Sequence, residues 1–222
     1  MNLLVLDTST SFCSVTLFSV KKVVTRNQHL PFKHNEHILE IIEEILEEAA
    51  IKKSCLNYLA YGTGPGSFVG VRLSAAILQA MSFVLHAPIF SFSSMYAIAL
   101  NAHAETKISK IVVLLKAHFS YLYCGEYLFD TNCQILKIKN EQCVKKEGVQ
   151  QYLYDNQTEN ILIVSNNIPQ MNYHNHVLRE FYPSTELLFE HLSSKINQLQ
   201  ENFNSISVPM PVYFSQFEQW KK

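Results

Sequence analysis

Apolar and polar positions change period several times along the chain, and each change marks an element. Residues 3–7, LLVLD, form a short apolar run ending in Asp7-Thr8-Ser9-Thr10-Ser11, which predicts a buried strand entering a polar turn. Residues 13–20 alternate and are rich in β-branched side chains, and 22–26 follow at once, predicting a hairpin. From 34 to 50 the period becomes helical. Ile38, Ile42, Ile45 and Ala49 share one line, with glutamates opposite. A strand at 57–62 runs into a glycine-rich loop, a helix at 71–85 and a short strand at 87–89.

The second half repeats the theme. Residues 111–117, 121–129 and 134–140 read as strands, 148–155 as a weak helix and 161–167 as a strand and turn. Residues 185–200 read as a helix, and 208–214 as an extended tail. Strands interleaved with helices predict an α/β chain with a parallel or mixed sheet, and the renewed order predicts two related lobes. The expected division is an N-terminal lobe over 1–105, with the segment from about 185 packing back on it, and a smaller lobe over 106–184.

The two N-terminal helices carry more apolar surface than one sheet face needs. At 100° per residue, Val71, Ala75, Leu78 and Leu85 form one stripe of helix 71–85, and Leu73, Ala76, Ile77, Ala80 and Val84 a second, nearly opposite. Helix 34–50 is apolar over about 180° of arc, against the ~100° a surface helix needs. Either the two helices bury one another within a domain, or they meet another chain.

Four of the six glycines, Gly62, Gly64, Gly66 and Gly70, fall within residues 62–70. No lysine occurs between Lys53 and Lys107, so the loop lacks the phosphate-binding lysine of GxxxxGK[ST]. GxGxxG fails because Ser67 and Val69 stand at the sixth positions, and GxSxG because Pro65 precedes Ser67 by two. Two readings remain: a packing and docking loop, or an anion site at the N-terminus of the following helix.

Composition narrows the classes. The 222 residues are 48% hydrophobic and 17% charged, with a formal net charge of -1, so dispersed lysines cannot hold a nucleic acid by charge neutralisation alone. Five cysteines (Cys13, Cys55, Cys124, Cys133, Cys143) form no CxxC pair, which fits a reduced environment. No apolar run approaches the ~20 residues of a membrane span, and the N-terminus lacks a signal peptide, so the expected location is cytoplasmic.

DTSTSFCSVTLF at the start, HNEHILEIIEEIL, YGTGPGSFVGVRLSAAILQAMSF and SFSSMYAIA, with PVYFSQFEQWKK at the end, resemble the TsaB (YeaZ) family. The most specific element is Gly64-Pro65-Gly66-Ser67-Phe68 followed by Gly70 and Arg72, an expected docking loop. Val69 replaces the family's usual threonine, and Asn35 its usual serine. The resemblance implies a two-lobed actin-like ATPase (sugar kinase/Hsp70/actin) fold. It also implies the role of non-catalytic partner to TsaD, which makes threonylcarbamoyladenosine beside the anticodon of tRNA. TsaE would dock on that pair, the chain would form a homodimer when alone, and tRNA would be met only through the complex. Together with the surplus apolar surface, it places a partner interface on Ile38, Ile42, Ile45, Leu73, Ala76, Ile77 and Ala80.

In that fold ATP is gripped by two phosphate turns and an adenosine loop. Asp7, Thr8 and Ser9 fit a vestigial first turn. Lys116-Ala117-His118, where the family has Asp-Ala-Arg, offers no acid or glycine for the second, and Ser165-Asn166-Asn167 no glycine for the third. The expectation is a chain without catalytic residues, cofactor or metal. Two alternatives stay open: an ATP-dependent kinase or carbamoyl transferase of the same fold, and a metallopeptidase using His34 and His37.

Overall fold

A computed structural model gives the fold and describes residues 1–117, 120–130, 135–166 and 171–201. The expected tail at 208–214, the terminal Trp-Lys-Lys, His118 and Asn167 lie outside the described residues. The chain divides into two compact units. Of the described residues, one holds Met1–Ala97 and those from Pro183 to Glu201, and the other holds Ile98–Tyr182.

In the first unit the run LLVLD is apolar throughout because it is the centre of a sheet. This strand, β1 (Leu3–Asp7), is covered on both faces. It pairs antiparallel with β2 (Phe12–Phe18), Leu4 opposite Leu17, and parallel with β4 (Tyr58–Gly62), Leu4 opposite Leu59. With β3 (Val23–His29) beyond β2 and β5 (Ile89–Phe92) beyond β4, the order is β3-β2-β1-β4-β5.

Two helices lie on one face of this sheet, α1 (His34–Glu48) over β2 and β3, and α2 (Phe68–Leu85) over β4, β1 and β5. Leu4, Leu6, Val15, Leu17, Leu59 and Tyr61 meet Ile38, Ile42 and Ile45 of α1 and Ala75 and Leu78 of α2 in one core. On the other face, Thr185 Oγ1 lies 2.9 Å and 2.7 Å from the hydroxyls of Ser14 and Thr16.

The second unit repeats this plan. β6 (Lys110–Lys116) is central, β7 (Tyr121–Phe129) and β8 (Ile135–Lys145) form an antiparallel meander beside it, and α4 (Lys146–Asp155) leads to the parallel β9 (Ile161–Ser165) and β10 (Val177–Glu180). The order is β10-β9-β6-β7-β8. Val112, Leu114, Leu122, Ile161 and Ile163 pack with Val149 and Leu153 of α4. This is the sheet plan of the actin-like ATPase fold, α/β as the interleaved pattern predicts.

Two elements escape the sequence reading. α3 (Ser94–Thr106) has no helical period because it is buried all round: Met95, Ala97, Ile98, Ala99 and Ala102 have no exposed surface. β10 is a four-residue strand with mixed exposure, and among the described residues it pairs only with β9. α2 is long and apolar enough to cross a membrane by length and composition, and only 28% of it is buried.

Candidate functional site

The turn between β1 and β2 fastens the starts of both surface helices. Three successive carbonyls accept hydrogen bonds from three segments: Ser9 from the Ser67 amide (2.6 Å), Thr10 from His34 Nε2 (2.8 Å) and Ser11 from the Leu30 amide (2.8 Å). The loop before α2 and the loop before α1 therefore share one anchor.

That anchor explains the glycines. A Cβ at Gly62 would stand 1.9 Å from Asp7 Oδ2, one at Gly66 2.3 Å from the Ser9 carbonyl oxygen, and one at Gly70 1.9 Å from the Thr8 carbonyl oxygen. Gly64 has φ 87°, a conformation that favours glycine. Ser67 caps α2 by accepting from the Gly70 amide at 3.2 Å, so the helix starts at Phe68, three residues earlier than periodicity predicts. Of the expected docking loop, Gly64, Pro65 and Gly70 are buried, whereas Gly66, Ser67, Phe68 and Arg72 are exposed. The Arg72 guanidinium lies 3.5 Å from the Phe68 ring centroid.

The turn expected to serve phosphate is used inside the chain. Thr8 Oγ1 donates to the Gly70 carbonyl at 2.7 Å and accepts from Ser74 Oγ at 2.6 Å. The Ser9 amide and hydroxyl both donate to Asp7 Oδ1 (2.8 Å and 2.6 Å), and the Ser94 hydroxyl to Asp7 Oδ2 at 2.6 Å. Asp7, Thr8 and Ser9 are at most 1% exposed. The groups of the expected vestigial phosphate turn hold the glycine loop and the start of α3.

Burial raises the Asp7 carboxyl above its ordinary value, outweighing the hydrogen bonds from Ser9 and Ser94 and the nearby His34, which pull it down. The native state then keeps this proton at pH values where the unfolded chain has lost it. Asp7 therefore subtracts stability as pH rises from the ordinary 3.8 through the raised native value. Denaturant titrations between about pH 4 and about pH 8 should show that loss in the wild type and a smaller one in Asp7→Asn. Equal slopes in the two proteins would exclude this origin. The neighbouring Cys13 is no nucleophile, since burial and the Asp7 charge push its thiol up to about 12.

His34 and His37 do not converge. His34 is 7% exposed with Nε2 donating to Thr10, whereas Nδ1 of the half-exposed His37 lies 3.7 Å from Glu40. Among the described residues no three His, Cys, Asp or Glu side chains gather as metal ligands. The geometry lends the peptidase reading no support.

The two helices differ in what they leave outside. Ile38, Ile42 and Ile45, expected at a partner interface, are at most 2% exposed, so the apolar arc of α1 belongs to the core and that expectation is corrected. On α2, Val71, Ala75 and Leu78 face the core, Leu73 and Ile77 are half-buried at its edge, and Ala76 and Ala80 are exposed. Val69 and Phe83, which the sequence reading left out, are 74% and 83% exposed, and Val84 is 73% exposed. On a helical wheel Phe83, Ala76, Val69, Ala80, Leu73, Val84 and Ile77 follow one another across about 120° with no polar residue among them. The same 100° rule finds Phe83 inside the predicted helix, and finds Val69 once the helix is started at the Ser67 cap.

Solved structures share this architecture. A Pseudomonas aeruginosa structure described as an uncharacterized protein with similarity to peptidase YeaZ matches with TM-score 0.79 and 23% identity, covering 96% of this chain and 99% of that one. YeaZ from the same organism matches with TM-score 0.76 and 22% identity over 96% and 100% of the two chains. The TsaD family model, tRNA N6-adenosine threonylcarbamoyltransferase, matches residues 30–207. Among curated relatives, the tRNA threonylcarbamoyladenosine biosynthesis protein TsaB of Buchnera aphidicola (subsp. Schizaphis graminum) is 34% identical over 64% of this chain and 68% of its own length. TsaB of Escherichia coli K12 is 31% identical over 60% of this chain and 57% of its own length. With a TsaD model matching most of its length and a TsaB relative 34% identical over two thirds of that relative, the chain belongs to the TsaB family.

Proposed function

We propose that the chain is the non-catalytic partner of a TsaD subunit in threonylcarbamoyl transfer to the adenosine beside the anticodon of tRNA, and that it docks through the outward face of α2. The observation that carries this reading is that apolar face, from Val69 to Val84, about 22 Å long at 1.5 Å per residue. A contiguous apolar surface of this kind marks an interaction site. The interface residues are Leu73, Ala76, Ile77 and Ala80 of the original expectation, joined by Val69, Phe83 and Val84. A second copy covers the same face when the partner is missing, and TsaE docks on the assembled pair.

A non-catalytic role is supported by what the chain does with its polar groups. The hydroxyls and carboxylate of Asp7, Thr8 and Ser9 are all engaged within the first unit. Reconstitution tests the reading. Transfer to tRNA should require both this chain and its TsaD together with the ATPase subunit, while the chain alone turns over neither ATP nor peptide. ATP hydrolysis by the isolated chain, abolished by Asp7→Ala in a sample free of contaminants, would overturn it.

The wild-type chain alone should also hold tRNA weakly, because a net charge of -1 gives little counterion release. Submicromolar, strongly salt-dependent binding by the isolated chain would contradict that.

A further inference from the structure

Beside the apolar face runs a line of carboxylates. α1 and α2 lie side by side on one sheet face, and both turn their outer sides away from it. On α1 that outer side is Glu36, Glu40, Glu43 and Glu47, all exposed and within about 60° of arc. Glu43 pairs with Lys53 at 2.5 Å, and Glu40 has His37 at 3.7 Å. Among the described residues, Glu36 and Glu47 have no ion pair.

The other flank of α1 is already neutralised. Arg26 of β3 reaches Glu44 (3.8 Å) and Glu48 (2.5 Å), and Lys22 reaches Glu48 at 2.6 Å. These cations hold the side of α1 that faces β3. The flank away from β3 carries Leu39, 59% exposed, an apolar side chain beside the acidic line. A body seated on α2 and broad enough to reach across to the outer side of α1 would meet Glu36, Glu40 and Glu47.

We infer that the occupant of the α2 face is a different chain that presents an apolar helix edged by lysine or arginine, and that the carboxylate line of α1 steers and orients it. The inference rests on the docking role proposed above and adds the partner's chemistry. Complementary charge at the rim acts on encounter and orientation more than on the strength of the final complex. A second copy brings the same acidic α1 with it, so the line also favours the basic partner over self-pairing.

The experiment uses the full chain and its own TsaD subunit, with association followed by stopped-flow or biosensor at low and high salt. In wild type the association rate should fall as salt rises. The triple variant Glu36→Lys, Glu40→Lys, Glu47→Lys, checked for folding by circular dichroism, should associate about 10-fold or more slowly at ~50 mM salt. That deficit should shrink toward ~0.5 M as the charges are screened. Ala80→Glu, run beside it, tests the docking face independently. If Ala80→Glu blocks association but the triple variant keeps the wild-type rate and salt dependence, the rim inference fails alone. If Ala80→Glu associates normally, the docking reading fails and the rim inference fails with it.

Discussion

Replacing Ala80 by glutamate should yield a folded monomer that no longer joins TsaD. Ala80 lies in the middle of the outward arc of α2, exposed, with half-buried Leu73 and Ile77 on the same side. In the free chain the new carboxylate stays in water, so folding is spared. In a complex it would be buried without a partner, which costs several kcal/mol. At 1.4 kcal/mol per decade, that lowers affinity ~100-fold or more.

Ala75→Glu is the contrasting variant. Ala75 is 3% exposed and packs into the core with Leu78, so a charge there should unfold the first unit. Size-exclusion chromatography and co-purification with TsaD read both outcomes. A folded Ala75→Glu monomer beside an unfolded Ala80→Glu would mean that the faces of α2 are reversed. Normal capture of TsaD by Ala80→Glu would remove α2 from the interface.

Gly70→Ala should destabilise the first unit more than its size suggests. The added methyl would stand 1.9 Å from the Thr8 carbonyl oxygen and 3.0 Å from its carbon, and backbone atoms cannot rotate aside as a side chain can. Relief requires the start of α2 to leave the β1–β2 turn, loosening the Thr8-to-Gly70 and Ser67-to-Ser9 hydrogen bonds. Overpacking of this kind costs about 1–3 kcal/mol, and each buried hydrogen bond lost adds about 1 more. The melting temperature should fall by roughly 10 °C, at about 2–4 °C per kcal/mol for a chain of this size. Gly148→Ala is the control, since nothing lies within 4 Å of its added Cβ and it sits in α4, where alanine is the better helix former. A Gly70→Ala protein melting with the wild type would show that the loop can move aside freely.

Strands and surface helices were legible where burial is one-sided or complete over a short run. LLVLD had to be a central strand, and the glutamates of 34–50 had to mark the outer side of a helix, because local period reports which side of an element meets water. The surplus apolar face of α2 was legible on the same ground, as were the failures of the glycine loop to match any phosphate motif. α3 was not, since a helix buried on every side has no period to read.

Three matters were settled only when distant segments came together. The apolar arc of α1 is as wide as that of α2, yet its isoleucines all enter the core while α2 leaves Val69, Phe83 and Val84 in solvent. Periodicity gives the width of an apolar face and not the number of layers covering it. Asp7, Thr8 and Ser9 have the right chemistry for phosphate, and only their distances to Gly70, Ser74 and Ser94 show those groups already engaged. The glycines announce close approach, but residues 7–9 are what approach them, across more than fifty positions of chain. A sequence determines which residues can line a face or turn tightly. What fills the space opposite them is a property of tertiary packing, because the neighbours that decide it are remote in the chain.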